Sequence, residues 1–293
     1  MSEVTLIEVF ATVGGGGNPT PVVLDASAYD EARMLAVTRS HALESTFVFP
    51  PTNPAEADFR FRFFVPRQEM NMCGHATVGT LWLLHQAGKL RGTHARIETA
   101  SGIVQGAIQA AGTPQEYAEI TQPAGKTEEL RDREARQAAL DVLGIGEDAL
   151  ASLPLFNAGT SRVKTFVPLK DAAILHGLTP DFSRMEAVCT ALGSTGLYPF
   201  VVHSLPERLY EGRHFPKASG FPEDVATGVA ATALAFALVA HDLITFDDKR
   251  ITVQQGRAMG RLSEIFVRFD LSKGHPACGC FMGGRTVLMR KQG

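Results

Sequence analysis

"MNMCGHATVGT", residues 70–80, sets a thiol, an imidazole and two glycines ahead of an apolar run. The adjoining "LWLLHQAG" (81–88) completes a compact helical pattern of small and large apolar side chains that stops at Gly88. A second stretch, "EDVATGVAATALAFAL" (223–238), has the same form: an Ala-Thr pair and a glycine, then an apolar helix. His75 and Asp224 lie about half the chain length apart. Self-similarity at that spacing predicts two like domains in tandem, each a curved sheet around one buried helix.

The rest of the chain fits this frame. At 293 residues it is long enough for one large domain or two of about 150. "VTLIEVFAT", "VGGGGNP" and "TPVVLDA" read as strand, glycine loop, strand, and residues 29–42 have helical spacing. "STFVFPP" and "FRFRFFVP" are strand patterns, the second alternating Phe59, Phe61 and Phe63 with Arg60 and Arg62. "ARIETASGIVQGAIQ" reads as a hairpin turning at Ser101–Gly102. The polar stretch 121–130 is the linker candidate, followed by a charged helix near 128–143. Strands at "SRVKTFVPL", "GLYPFVVHSL", "RITVQQGR", "EIFVRFD" and "CFMGGRTVLMR" complete the pattern. The boundaries read as 1–122 and 127–277, with a C-terminal strand, about 278–293, returning to the first domain.

Composition narrows the class. The chain is 45% hydrophobic and 20% charged, as globular proteins are, and its net charge of −3 argues against nucleic acid as a partner. The start, "MSEVTLIEVF", has no basic or apolar leader region. The longest apolar stretch, 229–240, is too short to span a bilayer. Cysteines at 73, 189, 278 and 280 make no secreted disulfide framework. The expectation is a reduced, cytoplasmic protein without membrane partners.

Four groups of residues bear on chemistry. The two helix entrances carry unsatisfied N–H groups and the positive end of the dipole, and glycine there admits an anion. A facing pair would bind a carboxylate and stabilise an enolate-like charge; the alternative is close helix–strand packing. Glu44, in "HALESTFVF", is either a desolvated proton-transfer acid or a junction residue bonding the backbone. Cys73 is either a thiol activated at a helix N-terminus or a small buried residue, and His75 either serves a substrate or satisfies backbone groups. "GHPACGC" (274–280) offers His275, Cys278 and Cys280, but the spacing and the missing fourth ligand point away from zinc. "GGGGN" (14–18) lacks the Lys and Ser/Thr of a phosphate loop, and no dinucleotide fingerprint is present, so no cofactor is expected.

Five motifs taken in order carry more than any one of them. "EVFATVGGGGNPTPVVL", "ALESTFVFPP", "RFFVPRQEMNMCGHATVGT", "GFPEDVATGVAATAL" and "VQQGRAMGR" together resemble the phenazine-biosynthesis PhzF-like family over nearly the whole chain. The resemblance implies a diaminopimelate epimerase-like α/β fold: two similar domains, each a barrel-like, mostly antiparallel sheet around a central helix, with the active site in the cleft. It implies a cofactor-independent isomerase in which Glu44 shuttles a proton between carbons of a small carboxylate. His75 and Asp224 would assist proton movement or bind the substrate. Asn18, Cys73, Gly74, Ala76, Thr227, Gly228 and Val229 would line it, no metal would take part, and the protein would be a homodimer. Two departures stand out. Val225 replaces the proline usual after the aspartate. Cys73 stands where racemases of this fold carry a catalytic thiol, but their second thiol falls near Val225, which cannot transfer a proton. A one-base isomerase fits this pattern; a Cys73-dependent racemase or epimerase, a non-catalytic small-molecule binder and an interaction protein are the alternatives.

Overall fold

The computed structural model describes residues 3–218, 221–273 and 278–289. The chain divides into two compact units, Met1–Thr121 with Gly283–Gly293, and Gln122–Met282.

In the first unit the strand Val4–Val9 lies between Thr286–Leu288 and Asn18–Val23, antiparallel to both. Asn18–Val23 runs parallel to Ser45–Phe49, which pairs antiparallel with Phe59–Val65. Phe59–Val65 also pairs with Gln68–Met70 and, in parallel, with His94–Thr99. The hairpin of His94–Thr99 and Gly102–Gln109 continues into Tyr117–Gln122. The helix Gly74–Gln86 packs on strands from both ends of this order, Val4–Val9 and Gly102–Gln109 among them, so the sheet curves around it. Its residues from Ala76 to Leu81 are all buried, as expected for a helix enclosed by a sheet. Gly79 is the close-approach point: a Cβ there would lie 2.4 Å from Val9 Cγ2 and 2.6 Å from Ile7 Cδ1. Gly79→Ala should therefore destabilise the protein by about 1–3 kcal/mol through overpacking, less up to about 1 kcal/mol returned by helix propensity. Urea unfolding checks this, and an unchanged midpoint would refute the packing argument.

In the second unit Lys126–Glu129, Phe156–Gly159 and Lys164–Pro168 form an antiparallel meander. Lys164–Pro168 runs parallel to Gly196–Ser204, which is antiparallel to Leu209–Gly212. Ile251–Gln255 lies parallel to Leu209–Gly212 and antiparallel to Ser263–Phe269. The helix Gly228–Ala240 packs against several of these strands, and ten of its thirteen residues are buried. Its alanine-rich sequence, with no charged residue, suits a helix covered on all sides. The outer helices Arg133–Leu143, Ala172–Gly177 and Phe182–Ala191 contribute to a separate apolar layer with Leu140, Leu143, Leu175, Met185, Val188 and Phe215.

Three differences from the sequence reading have physical causes. The stretch 121–130 is not a free linker: the strands Tyr117–Gln122 and Lys126–Glu129 leave only residues 123–125 between them, and Gly125 packs so close to Phe236 that a Cβ there would lie 2.6 Å from its Cδ2. Its polar side chains mark an exposed strand face, while its backbone bonds to Phe156–Gly159. The helix expected from 128 begins at Arg133, because Asp132 caps it and the preceding residues are held in that ladder. The short helices at 172–177 and 182–191 were not foreseen; their Asp171 and Asp181 caps were the legible signal. None of the four cysteines forms a disulfide and all are buried, and no helix among the described residues is long and apolar enough to cross a membrane. His275 lies outside the described residues.

One ion pair outside the site makes stability pH-dependent. Buried Arg208 donates to both oxygens of Asp247, at 2.6 and 2.7 Å, and Thr245 adds a third bond. The guanidinium outweighs burial and pulls the Asp247 carboxyl down to about 2. A depressed folded-state pKa gives stability that is complete above the unfolded value, near 4, and is lost as pH falls toward 2. The stability difference between wild type and Asp247→Asn should thus shrink steadily between about pH 4 and pH 2. Denaturant titrations across that range test it; a constant difference would rule the linkage out.

Candidate active site

Helix capping separates the two central helices from the rest. Asp30, Asp132, Asp171 and Asp181 each cap their helix with a side-chain hydrogen bond. Cys73 and Thr227, at the N-termini of the two central helices, make no such bond. The first-turn N–H groups of Gly74–Gln86 and Gly228–Ala240 therefore keep the donor capacity and partial positive charge that a side-chain cap would absorb. Gly74 and Ala76 lie in the first of these turns, Gly228 and Val229 in the second.

Around the first entrance, three side chains from two distant parts of the chain meet. Ala42 takes a left-handed conformation (φ 54°) at the end of the helix Glu31–His41, and Glu44 stands just before the strand Ser45–Phe49. The Cys73 thiol donates to Glu44 Oε2 at 3.0 Å and lies 3.4 Å from His75 Nδ1. His75 Nδ1 is in turn 3.5 Å from Glu44 Oε2. The Cys73 residue is 4% exposed; the His75 side chain is 10% and the Glu44 side chain 33% exposed. Glu44 is thus shielded but still reachable, flanked by two groups able to exchange protons with it. One donor atom from each of the three lies within 4.8 Å of the others. Carboxylate, thiolate and imidazole at that spacing are also a donor set that zinc accepts. The sequence reading pointed away from metal on the strength of the cysteines at 278 and 280, both of which are buried. Asn18 occupies the first position of the strand Asn18–Val23, opposite Val9, in the same unit.

Around the second entrance, Asp224 heads a relay. Thr227 Oγ1 donates to Asp224 Oδ2 at 2.6 Å and sits 2.9 Å from His214 Nδ1, which is 3.7 Å from Asp224 Oδ2. His214 and Asp224 are also joined by an isolated antiparallel bridge. Burial drives the His214 pKa below its ordinary value, against the pull of Asp224. The Gln255 amide ties the turn together: its Nε2 donates to the Asp224 carbonyl at 2.7 Å, and its Oε1 accepts from Thr227 N and the Tyr198 hydroxyl. Burial holds the Tyr198 phenol well above its usual range, so it acts as a neutral donor. The Asp224 side chain is 23% exposed. Val225, in place of the proline, still leaves the Asp224 N–H bonded to the His214 carbonyl.

The sequence reading named Glu44, His75, Cys73, Asp224 and Thr227, and within each unit the structure brings them together. It did not name His214, Tyr198 or Gln255. Gln255 lay within the quoted "VQQGR", but no local pattern says that its amide reaches back across the sheet. Two surface hollows of about 230 and 310 Å³, one beside Leu143 and Gly177 and the other beside Asp58 and Arg96, contain none of these residues.

Comparison with known proteins fits this geometry. The family described as phenazine biosynthesis-like protein matches residues 7–292. A Deinococcus radiodurans protein named an uncharacterized isomerase is 33% identical over 99% of this chain and 94% of its own length. The trans-2,3-dihydro-3-hydroxyanthranilate isomerase of Pseudomonas chlororaphis is 31% identical over 92% of this chain and 91% of its own. The crystal structure of a Bacillus anthracis phenazine biosynthesis protein of the PhzF family superposes with a TM-score of 0.86, at 24% identity, over 98% of this chain and 96% of that one. Fold and relatives together define an enzyme of the isomerase class on an epimerase-like fold. The chain belongs to the phenazine biosynthesis-like family.

Proposed function

We propose that the protein is a cofactor-independent isomerase that moves a proton between two carbons of a small carboxylate-bearing substrate, with Glu44 as both general base and general acid. The observation that carries this reading is the cluster at the first helix entrance: a partly accessible carboxylate held by the Cys73 thiol at 3.0 Å and His75 at 3.5 Å. One carboxylate can take a proton from carbon and return it nearby, provided water is kept out and the intermediate charge is stabilised. The uncapped N–H groups of Gly74 and Ala76 suit the latter task. On the same reading Asp224, fixed by Thr227 and Gln255, binds the substrate or assists proton movement, with Gly228 and Val229 as backbone donors and Asn18 as a lining group. Cyclic dihydro-hydroxy acids of the kind in the Pseudomonas relative's name are the first compounds to try. Incubation in deuterated water with mass-spectrometric readout reports exchange of carbon-bound hydrogen; no exchange across a broad carboxylate panel would defeat the proposal. We place the enzyme in the cytoplasm as a homodimer, the latter checked by sedimentation equilibrium.

A second reading is favoured by one distance. With Sγ 3.0 Å from Glu44, Cys73 is placed to carry the proton itself, as in a racemase or epimerase. The two readings part on Cys73→Ser. The Glu44 mechanism expects exchange to persist, lowered by no more than about tenfold through lost positioning. Complete loss in a folded Cys73→Ser protein, or on thiol alkylation, would transfer the central role to the cysteine.

A further inference from the structure

The cluster of Glu44, Cys73 and His75 has a shape that proton transfer does not require. Its three donor atoms form a nearly even triangle: Cys73 Sγ lies 3.0 Å from Glu44 Oε2 and 3.4 Å from His75 Nδ1, and Nδ1 lies 3.5 Å from Oε2. Tetrahedral zinc at its usual bond lengths holds a sulfur ligand about 3.6 Å from an oxygen or nitrogen ligand, and those two about 3.3 Å from each other. Two edges of the triangle therefore match to about 0.2 Å. The third is the thiol–carboxylate hydrogen bond, which opens once its proton leaves. The three side chains come from two distant parts of the chain, and both parts are held. The Cys73 carbonyl accepts from the Thr77 N–H at 3.0 Å and from the Thr77 hydroxyl at 2.7 Å. Glu44 stands between the left-handed Ala42 and the strand Ser45–Phe49, all five residues of which are buried. Donors placed in advance bind without the cost of being ordered first.

Charge and access fit as well. A thiolate and a carboxylate together balance a divalent cation, and the helix N-terminus at Cys73 favours the thiolate. Among the described residues, Glu44 has His75 and no arginine or lysine as an ion-pair partner. Cys73 is buried while Glu44 is partly exposed, which leaves an ion a way in. Glu211 is the instructive contrast. It too has two imidazoles beside it, His176 at 2.9 Å and His203 at 2.8 Å, but the Arg257 guanidinium at 3.0 Å already takes the place of a cation there.

We propose that Glu44, Cys73 and His75 form an inhibitory site for a thiophilic divalent cation such as zinc. Binding makes bonds from the metal to Cys73 Sγ, His75 Nδ1 and Glu44 Oε2. It breaks the Cys73 S–H bond and releases that proton to solvent, with nothing oxidised or reduced. His75 binds with its own ring proton on Nε2, and water takes the fourth tetrahedral position. The site stands on its geometry alone. Its inhibitory effect rests on the reading above, because a metal on Oε2 occupies the lone pair with which Glu44 takes a proton from carbon.

Cobalt(II) chloride alone, titrated into the reduced, chelator-treated full chain, reads the site directly. One equivalent should develop a near-ultraviolet thiolate-to-cobalt band with the intense visible bands of a four-coordinate ion, and zinc should displace it. Cys73→Ser should lose the near-ultraviolet band. His75→Gln and Glu44→Gln should each weaken binding by at least about tenfold, the least that even the outer partners of metal ligands are worth, with unchanged circular dichroism. Cys189, Cys278 and Cys280 remain in every variant, so a band that survives in Cys73→Ser overturns the site. Wild type that develops no such band with excess cobalt overturns it without recourse to any variant. In the exchange assay, zinc should abolish wild-type exchange and chelation should restore it; full exchange by the zinc-saturated protein overturns the inhibition. The absorption titration needs no substrate, so the metal site and the Glu44 mechanism fail separately.

Discussion

Glu44→Gln should lower the exchange of carbon-bound substrate hydrogen by about 10²–10⁴-fold, the range expected for removing a general acid–base group. The substitution keeps side-chain length and leaves a carbonyl oxygen to accept from Cys73, so the hydrogen bond at 3.0 Å has a substitute and the fold should hold. It removes the one thing the mechanism needs, a group that ionises and takes a proton from carbon. The loss should fall on the catalytic rate and leave substrate affinity nearly intact, because Glu44 acts in the transition state. The partner variant His75→Gln should be milder, since His75 contacts the carboxylate without standing in its place. Exchange by Glu44→Gln at the wild-type rate would remove the mechanism outright, whatever the substrate proves to be.

The second large effect concerns stability. Arg213→Met should destabilise the second unit by about 3–5 kcal/mol, the usual penalty for stranding a buried charge. Arg213 is 8% exposed and pairs in bidentate fashion with Glu223, at 2.9 and 2.7 Å. Its remaining nitrogen donates to the Leu175 and Leu178 carbonyls, both at 3.0 Å. It thus closes the end of the helix Ala172–Gly177 and anchors the segment that leads into Asp224. Removing the guanidinium leaves the Glu223 carboxylate, its side chain 11% exposed, without its cation, and takes a donor away from the Leu175 and Leu178 carbonyls. The double variant Arg213→Met, Glu223→Leu should recover a large part of the loss, because a buried ion pair replaced by apolar groups is often neutral. Chemical denaturation of the single and double variants measures this. Equal loss in both would show that the carbonyl bonds, and not the stranded charge, set the cost.

Local pattern carried the reading a long way. The apolar runs after "CGHATVG" and "EDVATGV" are legible as enclosed helices because a helix covered on all sides shows few polar residues at any phase, and both helices are buried in that way. The alternation of "FRFRFFV" is legible as a strand, although Phe64 is buried as fully as Phe63, since this strand has partners on both edges and packing on both faces. The boundary between strand and helix near 128–133 was not legible, because polar side chains on an exposed strand look like those on the outer face of a helix.

What the sequence determined by itself was the class of fold, the repeat of two helix entrances, and the short group of residues from which a proton-transfer site would be drawn. Tertiary structure alone decided which of those residues touch. Glu44 and Cys73 are 29 residues apart, Thr227 and Gln255 are 28, and His214 is 13 from Thr227. Each of those contacts depends on strand register and on how closely a helix seats in its sheet, and neither is written in any window of residues short enough to read locally.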